Sequence, residues 1–188
     1  MGAGRLAARA APGGAGAALI RTVCLHGPES TGKSTVGPRL AAALGAPYVA
    51  EYGRAWAEAH GTDFTMADLV AIAEGHDAAT RAALAEGRYP VVLDTDPLMT
   101  AAWAEMLFGG VDPWFDAWTG TADLYLLFDI DLPWMEDGTR MFGTVAARRR
   151  FLEVSRAQLE RRGLRYVTIR GTGEARYAAA LAAVRQFC

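Results

Sequence analysis

Lysine is almost absent from this chain: the 188 residues carry nineteen Lys and Arg side chains, of which Lys33 is the one lysine. Cysteine is nearly as scarce, with Cys24 inside an apolar run and Cys188 at the far end. Two such cysteines make no disulfide framework, so a reducing cytoplasm is the expected setting. The three histidines, His26, His60 and His76, are scattered without metal-ligand spacing and read as structural or surface residues. A net charge of −2 and a pI near 5.9 leave no electrostatic footprint for nucleic acid or an anionic membrane. The expected partners are small molecules, and the oligomeric state stays open.

What is present gathers around that lysine. Gly27-Pro28-Glu29-Ser30-Thr31-Gly32-Lys33-Ser34 is the full phosphate-cradling pattern G-x-x-x-x-G-K-[ST], which a single lysine meets by chance on the order of once in a thousand. An ammonium is a compact point charge on a flexible stem and reaches in beside β- and γ-phosphates, whereas a planar guanidinium is bulkier and forks its donors. Glycines permit the turn, backbone N–H groups face inward, and the following helix presents its positive end. Gly27, Pro28, Glu29, Ser30, Thr31, Gly32, Lys33, Ser34 and Thr35 are therefore the expected ATP site, with the Ser34 hydroxyl on Mg²⁺.

Residues 1–18 are almost all Ala, Gly, Arg and Pro and read as a flexible leader, a transit peptide being the less favoured alternative. From 19 to 188 the chain alternates short apolar runs with helical patterns, the signature of one domain with a parallel sheet covered by helices. Strands are predicted at 22–26, 47–50, 90–94, 123–130 and 165–170. Helices are predicted at 33–44, 52–60, 65–86, 97–107, 144–162 and 174–187. The fold class is thus α/β, a P-loop NTPase of nucleoside- or nucleotide-kinase type, with five parallel strands and helices on both faces.

Ligands in such sheets bind beyond the carboxyl ends of the strands, and three predicted strands end in acids. Asp94 is expected to orient Mg²⁺ or accept the proton of an attacking hydroxyl. Asp96 is a substrate-binding candidate with a competing role as helix N-cap ahead of Pro97. Glu51 can serve as general base or hydroxyl acceptor, although Arg54 lies at ion-pair spacing from it; Tyr52 and Arg54 join it as substrate-binding candidates. After the fourth strand, Asp137-Gly138-Thr139 turns the chain before Arg140, which is expected to close over the transferring phosphoryl group as part of a lid. Arg148-Arg149-Arg150 reads as a solvated charge run. Trp114 and Trp118, four apart, have core-packing spacing, whereas Trp103 and Trp134 adjoin the candidate site. Trp134, in a loop among acids, is expected to stack on a base or pyridine ring, with Asp137 or Glu51 on ribose hydroxyls.

Taken together, the Gly-Pro-Glu-Ser P-loop, Glu51-Tyr52-Gly53-Arg54, Asp68-Leu69 through Glu74-Gly75-His76, Leu93-Asp94-Thr95-Asp96 with Thr100 and Trp103, and Pro133-Trp134 through Arg140 resemble the ribosylnicotinamide kinase domain of NadR-type proteins. The resemblance covers nearly everything after residue 18 and implies strand order 2-3-1-4-5. It implies transfer of the ATP γ-phosphoryl to the 5′-hydroxyl of nicotinamide riboside, giving nicotinamide mononucleotide, with Lys33, Asp94, Glu51 and Arg140 catalytic. Two positions depart from the family pattern, Gly53 for alanine and His76 for glutamine, and both are expected to touch packing only. A kinase for another nucleoside or small alcohol, or a nucleotide-dependent regulatory ATPase, remains the alternative. A guanine-reading Asn-Lys-x-Asp motif is excluded, because the one lysine is in the P-loop.

Overall fold

The protein is described by a computed structural model, which covers residues 19–187; the expected leader at 1–18 lies outside the described residues. Five strands form a parallel sheet: β1 Thr22–His26, β2 Tyr48–Val49, β3 Val91–Asp94, β4 Leu124–Phe128 and β5 Tyr166–Ile169, in the order β2-β3-β1-β4-β5. The order and the parallel sense agree with expectation. In register, Leu25 of β1 stands beside Asp94 of β3 and Leu126 of β4, so the carboxyl ends of the three central strands open on one edge.

Seven helices connect them: α1 Lys33–Leu44, α2 Tyr52–His60, α3 Met66–Ala85, α4 Pro97–Phe108, α5 Pro113–Ala117, α6 Val145–Arg161 and α7 Gly173–Arg185. Both faces of the sheet are covered, which is why its strands read as unbroken apolar runs; every residue of β1 and β4 is buried. Val23, Leu25, Leu126 and Phe128 pack with Val36 and Leu40 of α1 and Val184 of α7. Cys24, Leu93, Tyr125 and Leu127 pack on the opposite side with Leu98 of α4 and Leu152 and Leu159 of α6.

Local chemistry sets the helix starts that matter for the site. Asp96 is the N-cap of α4, its carboxylate accepting from Leu98 N at 3.0 Å with Pro97 following. Thr65 and Asp68 close a capping box at the start of α3. The short α5 falls outside the predicted elements; Asp112 caps it, and Trp118 at its end is buried, donating from Nε1 to Asp77 at 2.9 Å. Among the described residues no helix is long and apolar enough to cross a membrane.

Candidate active site

The P-loop joins β1 to α1. Gly27 has φ 122°, and a Cβ there would stand 2.7 Å from the Phe128 carbonyl, so only glycine lets the loop lie on β4. Gly32, also left-handed, starts α1 without a side-chain cap, leaving the first N–H groups of the helix without intrahelical partners. Lys33 is buried, and its Nζ donates to the Gly27 and Pro28 carbonyls at 2.7 Å each. Thr31 Oγ1 donates to the same Pro28 carbonyl at 2.7 Å. Burial lowers the Lys33 pKa, while the carboxylates of Glu51, Asp94 and Glu29 act to raise it.

A cleft of about 130 Å³ opens over this loop. Gly27 and Glu29 through Thr35 line its phosphate side, and Glu51, Arg54, His76, Thr95, Thr139 and Arg140 form its polar walls. Ala57, Phe64, Leu69, Ile72, Met99 and Trp103 make an apolar recess at the far side. Trp103 is embedded in aromatic neighbours, 5.2 Å from both the Phe142 and Phe151 rings and 6.4 Å from Phe64.

Asp94 lies buried at the end of β3; Oδ2 accepts from Tyr48 Oη at 3.0 Å and Oδ1 has no hydrogen-bond partner. Glu51 is the N-cap residue of α2 but caps nothing with its side chain, so its carboxylate stays in the cleft, with Arg54 only loosely paired at 3.8 Å. Loss of solvent pushes the Glu51 carboxyl above the ordinary range, Lys33 pulling it back. The Ser34 hydroxyl and Glu51 line the cleft and Asp94 keeps one unpartnered oxygen; each is a hard oxygen donor of the kind Mg²⁺ takes.

The stretch from Asp129 to Gly143 lies across the P-loop without helix or strand. Glu29 Oε1 accepts from the main-chain N–H groups of Met141 (2.9 Å) and Phe142 (2.6 Å). Ser30 Oγ exchanges hydrogen bonds with the N–H and carbonyl of Met135 at 2.9 and 3.2 Å. Arg140 lines the cleft, donates to the Met135 carbonyl and pairs with Asp137 at 3.2 Å.

Four expected substrate contacts sit elsewhere than the sequence suggested. Trp134 does not line the cleft: its indole lies against Gly143, where a Cβ would be 3.0 Å from the ring. Asp96 is turned into the core, its carboxylate occupied by Leu98 N and by Tyr125 Oη at 2.6 Å. Its pKa rises to about 6 because burial outweighs those hydrogen bonds. Asp137 is held by Arg54 at 3.0 Å and by Arg140 and Thr139; despite the loss of solvent, these bonds hold it down at about 2. Tyr52 lies over α3 so closely that a Cβ on Gly75 would stand 2.4 Å from its ring, so a larger residue there would displace the tyrosine. Of the arginine run, Arg149 and Arg150 are exposed, whereas Arg148 is buried and donates to the Leu132 carbonyl at 2.8 Å.

The structure also brings forward residues the sequence reading passed over. Arg176 of α7 is buried and donates to the Thr31, Asp129 and Gly171 carbonyls at 2.8, 3.0 and 2.6 Å, clasping the P-loop from behind. Thr95 takes φ 73°, a strained conformation for a β-branched residue, directly between Asp94 and Asp96. His76 and Gly53 both line the cleft, His76 as a buried residue, and a Cβ at Gly53 would meet Ile72 at an ordinary 3.5 Å. The histidines are not all isolated: Cys24, His26 and Asp96 bring donor atoms within 4.8 Å of one another in the core. The Asp96 oxygens are already engaged, and His26 Nε2 meets the Ser155 carbonyl at 3.1 Å.

The model of the AAA domain family matches residues 22–176. The chain belongs to that family. Within it, this AAA domain is 29% identical over 157 residues to the trifunctional NAD biosynthesis/regulator protein NadR of Escherichia coli (strain K12), a match spanning 80% of this chain and 38% of that protein. The chain thus spans well under half the length of this curated relative. A crystal structure of NadR protein in complex with NR superposes with a TM-score of 0.72 at 26% identity, covering 90% of this chain and 52% of that one. NadR protein in complex with NAD and AMP-PNP gives the same TM-score and identity, with 90% and 49% covered. Thymidylate kinase from Ehrlichia chaffeensis shares the fold, with a TM-score of 0.67 at 14% identity over 91% of this chain and all of that one. The motif-level resemblance to NadR-type proteins and the kinase-type P-loop fold are both borne out.

Proposed function

We propose that this AAA domain, residues 19–188, is an ATP-dependent kinase that phosphorylates the 5′-hydroxyl of nicotinamide riboside to nicotinamide mononucleotide. The observation that carries the reading is that one cleft holds the P-loop lysine, the Glu51 carboxylate with Asp94 close by, and an aromatic-lined recess. NadR relatives and the NR complex of one of them support the choice of acceptor. A family name alone would not, since one fold hosts many functions.

In this mechanism Lys33 exchanges its two loop carbonyls for β- and γ-phosphate oxygens, and the loop N–H groups hold the rest. Ser34 and Asp94 would hold Mg²⁺, which supplies charge neutralisation on the phosphates when bound. Glu51, already biased toward holding a proton, takes the hydroxyl proton of the acceptor, or Asp94 does so if Glu51 serves the metal. Arg140 neutralises the charge developing on the transferring group, carried there by a lid over residues 129–143. The nicotinamide ring enters the Phe64–Trp103 recess rather than meeting Trp134. Its pyridinium gains from the aromatic faces and from the surrounding carboxylates. The buried free thiol of Cys24 suits a reducing, cytoplasmic setting.

ADP release from ATP over a panel of nicotinamide riboside, uridine, cytidine, thymidine and shikimate tests the reading. Nicotinamide riboside should be the fastest acceptor. Equal rates with a neutral nucleoside would replace it by a broader nucleoside kinase, and ADP release independent of any acceptor by a regulatory ATPase.

A further inference from the structure

The geometry points to His76 as a residue that determines acceptor specificity, its Nε2–H donating to a hydroxyl oxygen of the acceptor's sugar. The inference rests on the kinase reading and adds a contact to it. His76 stands on α3 at the i+7 position from Leu69 and i+4 from Ile72, the face of the helix that lines the cleft. It is 2% exposed. The N–H of Tyr52 donates to Nδ1 at 3.4 Å, so the ring proton belongs on Nε2. Nε2 makes no hydrogen bond of normal geometry, and the ring otherwise approaches the Thr95 main chain only loosely. An orphaned buried donor is costly to the fold, so its presence calls for a reason, and a bound ligand is one.

The imidazole is a neutral donor. Burial draws its pKa down to about 4, against the Asp94 carboxylate, the Thr95 main chain and Asp77, which act to raise it. Near pH 7 it therefore keeps one proton in one place and brings no cation to a site that is to receive a pyridinium.

The other groups on this wall explain why a donor is needed. A sugar hydroxyl both donates and accepts, and Glu51 and Asp94 are carboxylates that can take its proton but return none. Of the cationic donors nearby, Arg54 is committed to Asp137, Arg140 to Asp137 and the Met135 carbonyl, and Lys33 faces the phosphate loop. His76 adds to the Thr95 and Thr100 hydroxyls of the cleft a donor whose proton has one fixed place. A site built to donate to a hydroxyl rejects an analogue lacking it, because the donor is left buried and unpaired.

The test compares wild type with His76→Leu and His76→Gln, using whichever riboside of the panel wild type phosphorylates fastest, together with its 2′-deoxy and 3′-deoxy forms. Leucine removes the donor, and glutamine restores an N–H of similar reach. His76→Leu is expected to raise KM for the riboside about tenfold with KM for ATP within twofold, and His76→Gln to recover most of the loss. One of the two deoxy acceptors should carry the same penalty on wild type and none further on His76→Leu. The proposal is overturned if His76→Leu leaves the riboside KM unchanged, if it raises the KM values of riboside and ATP in step, or if it penalises the riboside and both deoxy forms equally. Should His76→Leu not fold, the two deoxy acceptors on wild type decide: indifference to both overturns it. A wild type that phosphorylates nothing in the panel sinks the kinase reading itself, a result separate from any of these.

Discussion

Lys33→Arg keeps the charge, and the structure argues that it should nevertheless abolish most turnover. Lys33 is 7% exposed, with Nζ at 2.7 Å from two carbonyls of the loop it serves. The loop has no slack: at Gly27 it already lies so near β4 that a Cβ would stand 2.7 Å from the Phe128 carbonyl. A guanidinium is longer by one bonded group and flat, so its extra atoms enter the space of the β- and γ-phosphates. The loss is that of one preorganised electrostatic donor, about 10²- to 10³-fold in kcat or roughly 2.7–4 kcal/mol. Coupled ADP release with nicotinamide riboside measures it, with Lys33→Met as the charge-free control and melting temperature as the check on folding. Arginine should fall close to methionine. Turnover by Lys33→Arg within a factor of three of wild type would refute the reasoning and make the solitary lysine an accident of composition.

Asp94→Asn should lower kcat by about 10²-fold while ATP binding by calorimetry persists, the pattern of a lost proton acceptor or metal-orienting carboxylate; a near-normal Asp94→Asn beside an inactive Glu51→Gln would exchange their roles. Trp103→Leu should raise KM for nicotinamide riboside about 2- to 30-fold, from about 0.5–2 kcal/mol of cation–π attraction, while Trp134→Ala leaves it within twofold; the reverse order would return the ring to Trp134. Asp96 has its folded pKa raised from 3.8 to about 6, so the stability tied to its protonation is full below 3.8 and lost as pH rises through 6. Asp96→Asn escapes that loss, and urea titrations should find its stability relative to wild type rising by up to roughly 3 kcal/mol between pH 4 and pH 7; a pH-independent difference would contradict the burial of a charged Asp96.

The sheet was legible because strands buried on both faces carry their identity in composition: Leu124–Phe128 admits no solvent face, and its ends came within two residues. The short α5 was missed because five residues give no periodicity to detect. The pair of acids after β3 shows where pattern stops. Asp94 and Asp96, two apart, would share a side in a continuing strand, but the positive φ of Thr95 breaks the alternation. One carboxylate stays beside Lys33 and the other caps α4, and no sequence rule predicts a left-handed threonine. The place of Trp134 away from the cleft lining was not legible for a related reason, since an irregular segment leaves side-chain direction to tertiary contacts. His76 was readable in part: it shares the stripe of Leu69 and Ile72. A polar residue on an apolar stripe marks either a satisfied core group or a site, and its unpartnered Nε2 separates the two.

Glu29 and Ser30 occupy positions of the P-loop pattern that phosphate binding leaves free, because main-chain N–H groups do that work. Here both side chains point their hydrogen bonds at the segment carrying Arg140. Ile130 and Phe142 pack into the core near the ends of that segment, but its middle has little apolar anchorage of its own, Met135 being 65% and Met141 43% exposed. Its position therefore depends on hydrogen bonds worth about 1 kcal/mol net each, somewhat more for those to the Glu29 carboxylate, together with the exposed pairs of Asp137. An element held by a few kcal/mol can be opened and re-closed with the binding energy of a nucleotide or an acceptor, whereas one packed into the core cannot. The specific form of this P-loop thus has a physical use. On the proposed kinase reading it joins the groups that would meet the phosphates to those that hold Arg140, and the same residues that made the motif recognisable support the lid reading of residues 129–143.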